Sequence, residues 1–288
     1  MKSLAYLVLF ALAALNAQQA PDRTVGRGVN FYSIEKEAAL GAQMASDFPR
    51  QIQVLDDAQV NGYLRSVGAR LLKQIPETGF TFHFAAFVDG EKGGPHEARV
   101  LPGGYVYVPE RLILTARDEA EFAGMLAHAI AHAANRDATR QASRGSLANL
   151  ATIPLIFNGG RAGYNAQQGA ETAIPIALLQ SQRASELEAD YRAVPMMADA
   201  GWDPEALARY IEREQTPNPR MPGAESRVFS PLPPREERVA ALRKAIGNLP
   251  PRDHSPSPEF ADVQAGVRRL NADRAPGTVP PAHNPPQK

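Results

Sequence analysis

Residues Asp118–Arg140 (DEAEFAGMLAHAIAHAANRDATR) form a long alanine-rich run in which two histidines, His128 and His132, stand four apart. The composition predicts one helix over Asp118–Arg140. At that spacing the two imidazoles lie one above the other on one face, close enough to reach a single ion. Six histidines in 288 residues produce such a pair by chance often enough that the rest of the chain must decide its meaning. A second predicted helix, Gln180–Ala200, stops at Gly201 and carries Glu186-Leu187-Glu188-Ala189-Asp190, with Glu186 and Asp190 on one face. Two histidines and a carboxylate with an open fourth position make up the ligand set of thermolysin-type zinc sites. Asp190 is then placed to accept the outward N–H of a ligand histidine and fix its tautomer.

Around these two helices the expected fold is α+β, mainly α. Apolar spacing predicts helices over Ile34–Asp47 and Ala58–Gln74, with Asp56-Asp57 as a cap between them. Phe80–Val88 alternates with aromatics, and Arg99–Pro109 has β-formers around Gly103-Gly104, so both read as strands of a small antiparallel sheet. Asp203-Pro204-Glu205 restarts a helix after Gly201, and Pro195 is expected to kink or split the helix before it. The glycine-bearing stretch Ser143–Leu179 reads as a cover of short helices and mobile loop. Arg235–Ile246 is one more amphipathic helix. Beyond it nine prolines fall between Pro250 and Pro286, and the chain past Arg274 is expected to be disordered.

The first residues, MKSLAYLVLFALAALNAQQA, have one lysine, an apolar run of about a dozen residues and a small-residue stretch, the pattern of a secretory signal peptide ending near Ala17. That run is short of the ~20 residues of a membrane span, and no second long apolar segment follows, so no transmembrane anchor is expected in the mature chain. The domain reading is therefore residues 1–17 as leader, 28–250 as one domain and 251–288 as a proline-rich, partly disordered tail. There is no cysteine, which excludes disulfides and a lipidated cysteine anchor. Lys plus Arg and Asp plus Glu are 31 each, so nothing suggests nucleic acid as a partner.

Several segments, in order, resemble the CAAX-prenyl-protease-like family of zinc metallopeptidases in its soluble periplasmic branch. They are Asn30-Phe31-Tyr32-Ser33 with Glu37 and Gly41, then Leu101-Pro102-Gly103-Gly104-Tyr105-Val106-Tyr107-Val108, then His128 and His132, then Arg183–Asp190, and last Ala200-Gly201-Trp202-Asp203-Pro204. The resemblance implies a gluzincin-like metallopeptidase domain whose two metal-bearing helices hold one Zn2+ through His128, His132 and Glu186. It also implies that the strand carrying Gly104, Tyr105, Val106 and Tyr107 lies beside a cleft where a peptide adds as an extra strand. Unfolded or mis-assembled envelope polypeptides become the expected substrate, outer-membrane assembly proteins the expected partners, and the periplasm or exterior the expected location.

Three residues depart from the family pattern. Ala129 stands where the family has the glutamate of His-Glu-x-x-His, which takes a proton from the attacking water and passes it to the leaving amine. Alanine cannot do that. Asp137 and Ser230 each stand where the family has histidine, and Asp137 carries little weight in this reading. No carboxylate is an obvious substitute: Glu121 lies about 10 Å along the helix from His128, Glu188 points away from Glu186, and Glu119 and Glu121 read as first-turn acids suited to the helix dipole. His83 and His96 have no partner at ligand spacing, and Gly124 reads as a helix-packing residue. Two functions stay open: a zinc metalloendopeptidase weakened by Ala129, and a catalytically silent zinc-holding peptide binder. A metal-free helical scaffold is a third.

Overall fold

In a computed structural model, residues 29–50, 52–88, 97–146, 161–215, 232–250 and 259–274 are described, those from 161 to 179 by their backbone alone. The elements are α1 (Ile34–Asp47), β1 (Gln53–Val54), α2 (Ala58–Leu72), β2 (His83–Val88), β3 (Arg99–Leu101), β4 (Tyr105–Pro109), α3 (Glu110–Thr115) and α4 (Glu119–Ala134). They continue with α5 (residues 137–146), α6 (Arg161–Asp199), α7 (Glu205–Glu214), α8 (Arg235–Ile246) and α9 (Glu259–Ala272). The leader, His96, Ser230 and the chain past Arg274 lie outside the described residues.

Helix starts follow local chemistry. Ser33 accepts from the Lys36 amide, Asp57 from Val60 at 2.8 Å and Asp118 from Glu121 at 2.8 Å, each satisfying an amide that has no intrahelical partner. Near α7 the Asp203 carboxylate takes the Glu205 amide at 3.0 Å, as expected for the Asp-Pro-Glu restart. α4 is buried on nearly every side, as a helix apolar all round must be. Phe122, Leu126 and Ile130 fill one flank, worth about 1.5–3 kcal/mol each. Gly124 lets α7 and α6 approach on another, since a Cβ there would lie 2.9 Å from the Leu207 Cβ and 3.2 Å from the Met197 Cε.

Four expectations are corrected. The sheet is mixed, in the order β1-β2-β4-β3: β1 and β3 run antiparallel to their neighbours, but β4 lies parallel to β2. Pro102–Gly104 makes this possible. Gly103 and Gly104 take φ of 73° and 88°, so β3 doubles back outside β4 and leaves β4 against β2. Side-chain alternation reports faces, not strand order. Second, the helix predicted to Arg140 ends at Ala134, and Arg136, at φ 59°, turns the chain before α5 begins. Third, α6 runs from Arg161 without splitting at Pro195, and its first half is one continuous helix over part of the stretch read as short helices and mobile loop. Fourth, the proline-rich region holds α9, which packs on α2 and α3 and buries Phe260, Val263 and Val267.

The Phe260 ring sits 5.9 Å from Tyr63 and 5.3 Å from Phe122, between α2 and α4, the helix that carries His128 and His132. Phe260→Ala is expected to cost about 3–5 kcal/mol and lower the melting temperature by roughly 10 °C. Thermal unfolding followed by circular dichroism measures it, and an unchanged melting curve would mean α9 is not part of the core.

Candidate metal centre

Among the described residues α4 and α6 make the most extensive helix contact, and across it they bring the predicted ligands together. His128 Nε2 lies 3.1 Å from His132 Nε2 and 3.4 Å from Glu186 Oε2, while His132 Nε2 is 3.5 Å from Glu186 Oε1. Bonds of about 2.05 Å to a tetrahedral ion would set its donor atoms about 3.3 Å apart. The three residues fit one such ion. Glu186 Oε2 is buried with no hydrogen-bond partner, a costly arrangement unless a cation completes it. Among the described residues these three are the one group placed to share a metal.

The outward nitrogens are held by carboxylates. Asp190 Oδ1 meets His128 Nδ1 at 2.8 Å, off the ring N–H axis, as the predicted helix face required. Asp137 Oδ2 meets His132 Nδ1 at 2.8 Å. Asp137 carries little weight in the sequence, where it is noted only as standing in place of a family histidine; five residues along an unbroken helix, it would also lie off the histidine face. The turn at Arg136 brings it back. The other residue missed is Arg238 of α8, buried at 1% exposure, which donates to both oxygens of Asp190 at 2.7 and 2.8 Å. Only its position in the run Arg235-Glu236-Glu237-Arg238 was visible, where it looked like any solvated charge.

Electrostatics follow from this packing. Burial alone would raise Glu186, but the two imidazoles hold it well below the usual carboxylate range, and Arg238 with His128 does the same for Asp190. Burial would lower His132, yet Asp137 and Glu186 push it up to about 10, and Asp190 and Glu186 raise His128. A divalent ion reverses this balance, because a ligand imidazole must be neutral.

The other residues singled out fall as follows. Ala129 is 2% exposed and belongs to the apolar core. Glu188 faces Arg192, at 3.1 Å, and not the ligands. Glu119 accepts from Tyr63 and Trp202, and Glu121 takes both Arg213 nitrogens at 2.7 Å, so these acids are buried anchors between helices and do more than favour the dipole. His83 stacks on Tyr105 on the sheet, away from the ligands. The strand expected to receive a peptide is corrected: Gly104 turns the chain, and Tyr105, Val106 and Tyr107 pair with β2 on one side and β3 on the other. Among the described residues the sheet edge on this side, without a strand partner beyond it, belongs to Arg99–Leu101. A cleft of about 270 Å³ lies along it, lined by Val100, Leu101, Pro102, His132, Ala133 and Glu186 among others.

Residues 58–246 match the sequence profile of peptidase family M48. The beta-barrel assembly-enhancing protease of Escherichia coli (strain K12) is 24% identical over 254 residues, 85% of this chain and 50% of that protein. Its counterpart in Yersinia pestis is 22% identical over 249 residues, 83% of this chain and 50% of the relative. A protease HtpX homolog of Polynucleobacter necessarius subsp. necessarius (strain STIR1) is 29% identical over 167 residues, 47% of this chain and 58% of that protein. The chain thus spans about half the length of these relatives. No helix among the described residues is long and apolar enough to cross a membrane.

Two outcomes are expected at this site. Purified protein should carry about one zinc per chain, and His128→Ala or Glu186→Gln should abolish it in metal analysis, since two remaining donors hold the ion poorly. Arg238→Met should destabilise the fold by about 3–5 kcal/mol in denaturant unfolding, because Asp190 would keep a buried charge without its main partner.

Proposed function

Because this chain belongs to peptidase family M48, we propose that it is a zinc-holding envelope protein that takes extended polypeptide into the cleft beside β3, with hydrolysis limited by Ala129. The convergence of His128, His132 and Glu186 at the edge lengths of a tetrahedron carries the metal part of this reading. When bound, the ion would supply Lewis acidity to a peptide carbonyl and to an attacking water. The protein's own residues do the rest. Asp190 and Asp137 orient the two imidazoles, and the unpaired edge of Arg99–Leu101 offers backbone groups to an extended chain. Val100, Leu101 and Pro102 give that chain an apolar wall.

The missing step is proton transfer. A glutamate one residue past His128 would receive the water's proton and hand it to the departing amine, a role worth about 10²–10⁴ in rate. The Ala129 methyl can do neither. The E. coli relative's name, an assembly-enhancing protease for β-barrels, together with the leader-like residues 1–17, supports export and unfolded or mis-assembled envelope proteins as the polypeptides engaged.

The burial of Ala129 in the apolar core favours a second reading, a zinc-holding peptide binder that no longer cleaves. One substitution separates the two. Ala129→Glu is expected to raise cleavage of an unfolded protein such as casein by an order of magnitude or more, measured by fluorescence release in zinc-loaded protein. A folded, zinc-loaded Ala129→Glu protein that binds the substrate but cleaves it no faster than the parent would sink the peptidase reading and leave the binder.

A further inference from the structure

The segment Asn30–Gly41 precedes every ligand by most of a hundred residues and contributes none of them, yet it touches both sides of the cleft. On the metal side, Glu37 Oε2 accepts from Arg136 Nε at 2.6 Å and from the Thr139 hydroxyl at 2.7 Å. The Tyr32 carbonyl accepts from Arg136 Nη2 at 2.6 Å, the Asn30 amide donates to Thr139 at 2.9 Å, and the Phe31 N–H donates to Ser143 at 2.9 Å. On the strand side, Gly41 lies so close to the Pro102 carbonyl that a Cβ there would sit 1.9 Å from the oxygen. Glu37, Pro102 and Arg136 all line the cleft.

Arg136 is the residue through which this matters. Its φ of 59° is a left-handed conformation that crowds the Cβ of a non-glycine residue and needs to be held by its surroundings. The bonds to Glu37 and Tyr32 hold it there, and Arg136 in turn gives Glu37, a carboxylate at 1% exposure, its cationic partner. The turn so held is what aims Asp137 at His132, while the other Asp137 oxygen takes Arg140 Nη1 at 3.3 Å.

We propose that Asp137 is a positioning residue for the metal ligand His132, and that Asn30–Gly41 is a brace that keeps it aimed by locking Arg136. α1 thereby sets where the end of the metal helix stands relative to the Pro102 side of the cleft. The inference rests on the metal centre of the proposed function and adds how its second histidine is oriented. Carboxylates hydrogen-bonded to a ligand histidine are typically worth 10–100-fold in metal affinity.

The test is zinc affinity of the full chain, by competition with a chelator, together with the visible absorption of the cobalt(II)-loaded protein, which reports ligand geometry. Asp137→Ala should bind zinc 10–100-fold more weakly and shift the cobalt bands. Asp137→Asn, which keeps an oxygen facing Nδ1, should recover most of that loss, a rescue that a merely structural role would not give. Arg136→Gly accepts the same φ without strain but cuts the links to Glu37 and Tyr32, and should fall between parent and Asp137→Ala. Parent-like affinity and an unshifted spectrum in Asp137→Ala would overturn the positioning role while leaving the metal centre intact, and the same result in Arg136→Gly alone would overturn the brace. A parent protein that takes up no zinc would instead overturn the metal centre, and this inference with it.

Discussion

A line of buried charge, Arg238 to Asp190 to His128, ties three helices into one site. Asp190 and Arg238 are each 1% exposed and His128 is 2% exposed, so none can rely on water for its charge or its hydrogen bonds. Each is tolerable only because the next is in place. α8 supplies the guanidinium, α6 the carboxylate and α4 the imidazole. Ionic groups buried in this way add little net stability over apolar packing, but they penalise any arrangement in which the helices are displaced, because a displaced helix strands a charge. The line ends at His128 Nδ1, which leaves Nε2 directed toward His132 and Glu186.

The second histidine is oriented by different means. Behind the carboxylate beside His132 stands Arg140, 3.3 Å from Asp137, but it lies on the same helix as Asp137, and what aims Asp137 is a backbone turn that Tyr32 and Glu37 hold from across the cleft. One ligand is thus fixed by a buried ion pair between helices and the other by a locked turn at the end of its own helix. Both histidines of the candidate site are thus oriented by carboxylates, while position 129 between them carries only the methyl of an alanine. Holding a metal and hydrolysing a peptide draw on different side chains in this fold, so one can persist without the other.

The sheet divides its roles in a similar way. The strand motif around Gly104 was expected to face a substrate directly, but Tyr105–Pro109 is the best-paired strand of the sheet, with β2 and β3 on its two sides. Val106 and Val108 on one face and Tyr107 on the other are all buried, as a strand covered on both faces requires. Its work is to seat β3 at the rim of the cleft, and Gly103 and Gly104 make the reversal that does so.

Residue order alone settled what is local. Alanine-rich composition with histidines at i and i+4, the Ser33, Asp57 and Asp118 caps, and the shared face of Glu186 and Asp190 depend on helical periodicity, which acts over one or two turns. The candidate triad His128, His132 and Glu186, the neighbouring Asp190 and the mainly helical α+β class were therefore legible, and so was alanine at position 129. What required the tertiary structure are relations between distant segments. The parallel pairing of β2 with β4, the packing of α9 on Tyr63 and Phe122, Arg238 behind Asp190, and the Glu37–Arg136 lock leave no periodic trace, since each depends on which surfaces meet. Asp137 shows the boundary most sharply: helical phase places it off the histidine face, and only a left-handed Arg136, held by residues about a hundred positions earlier in the chain, returns it to His132.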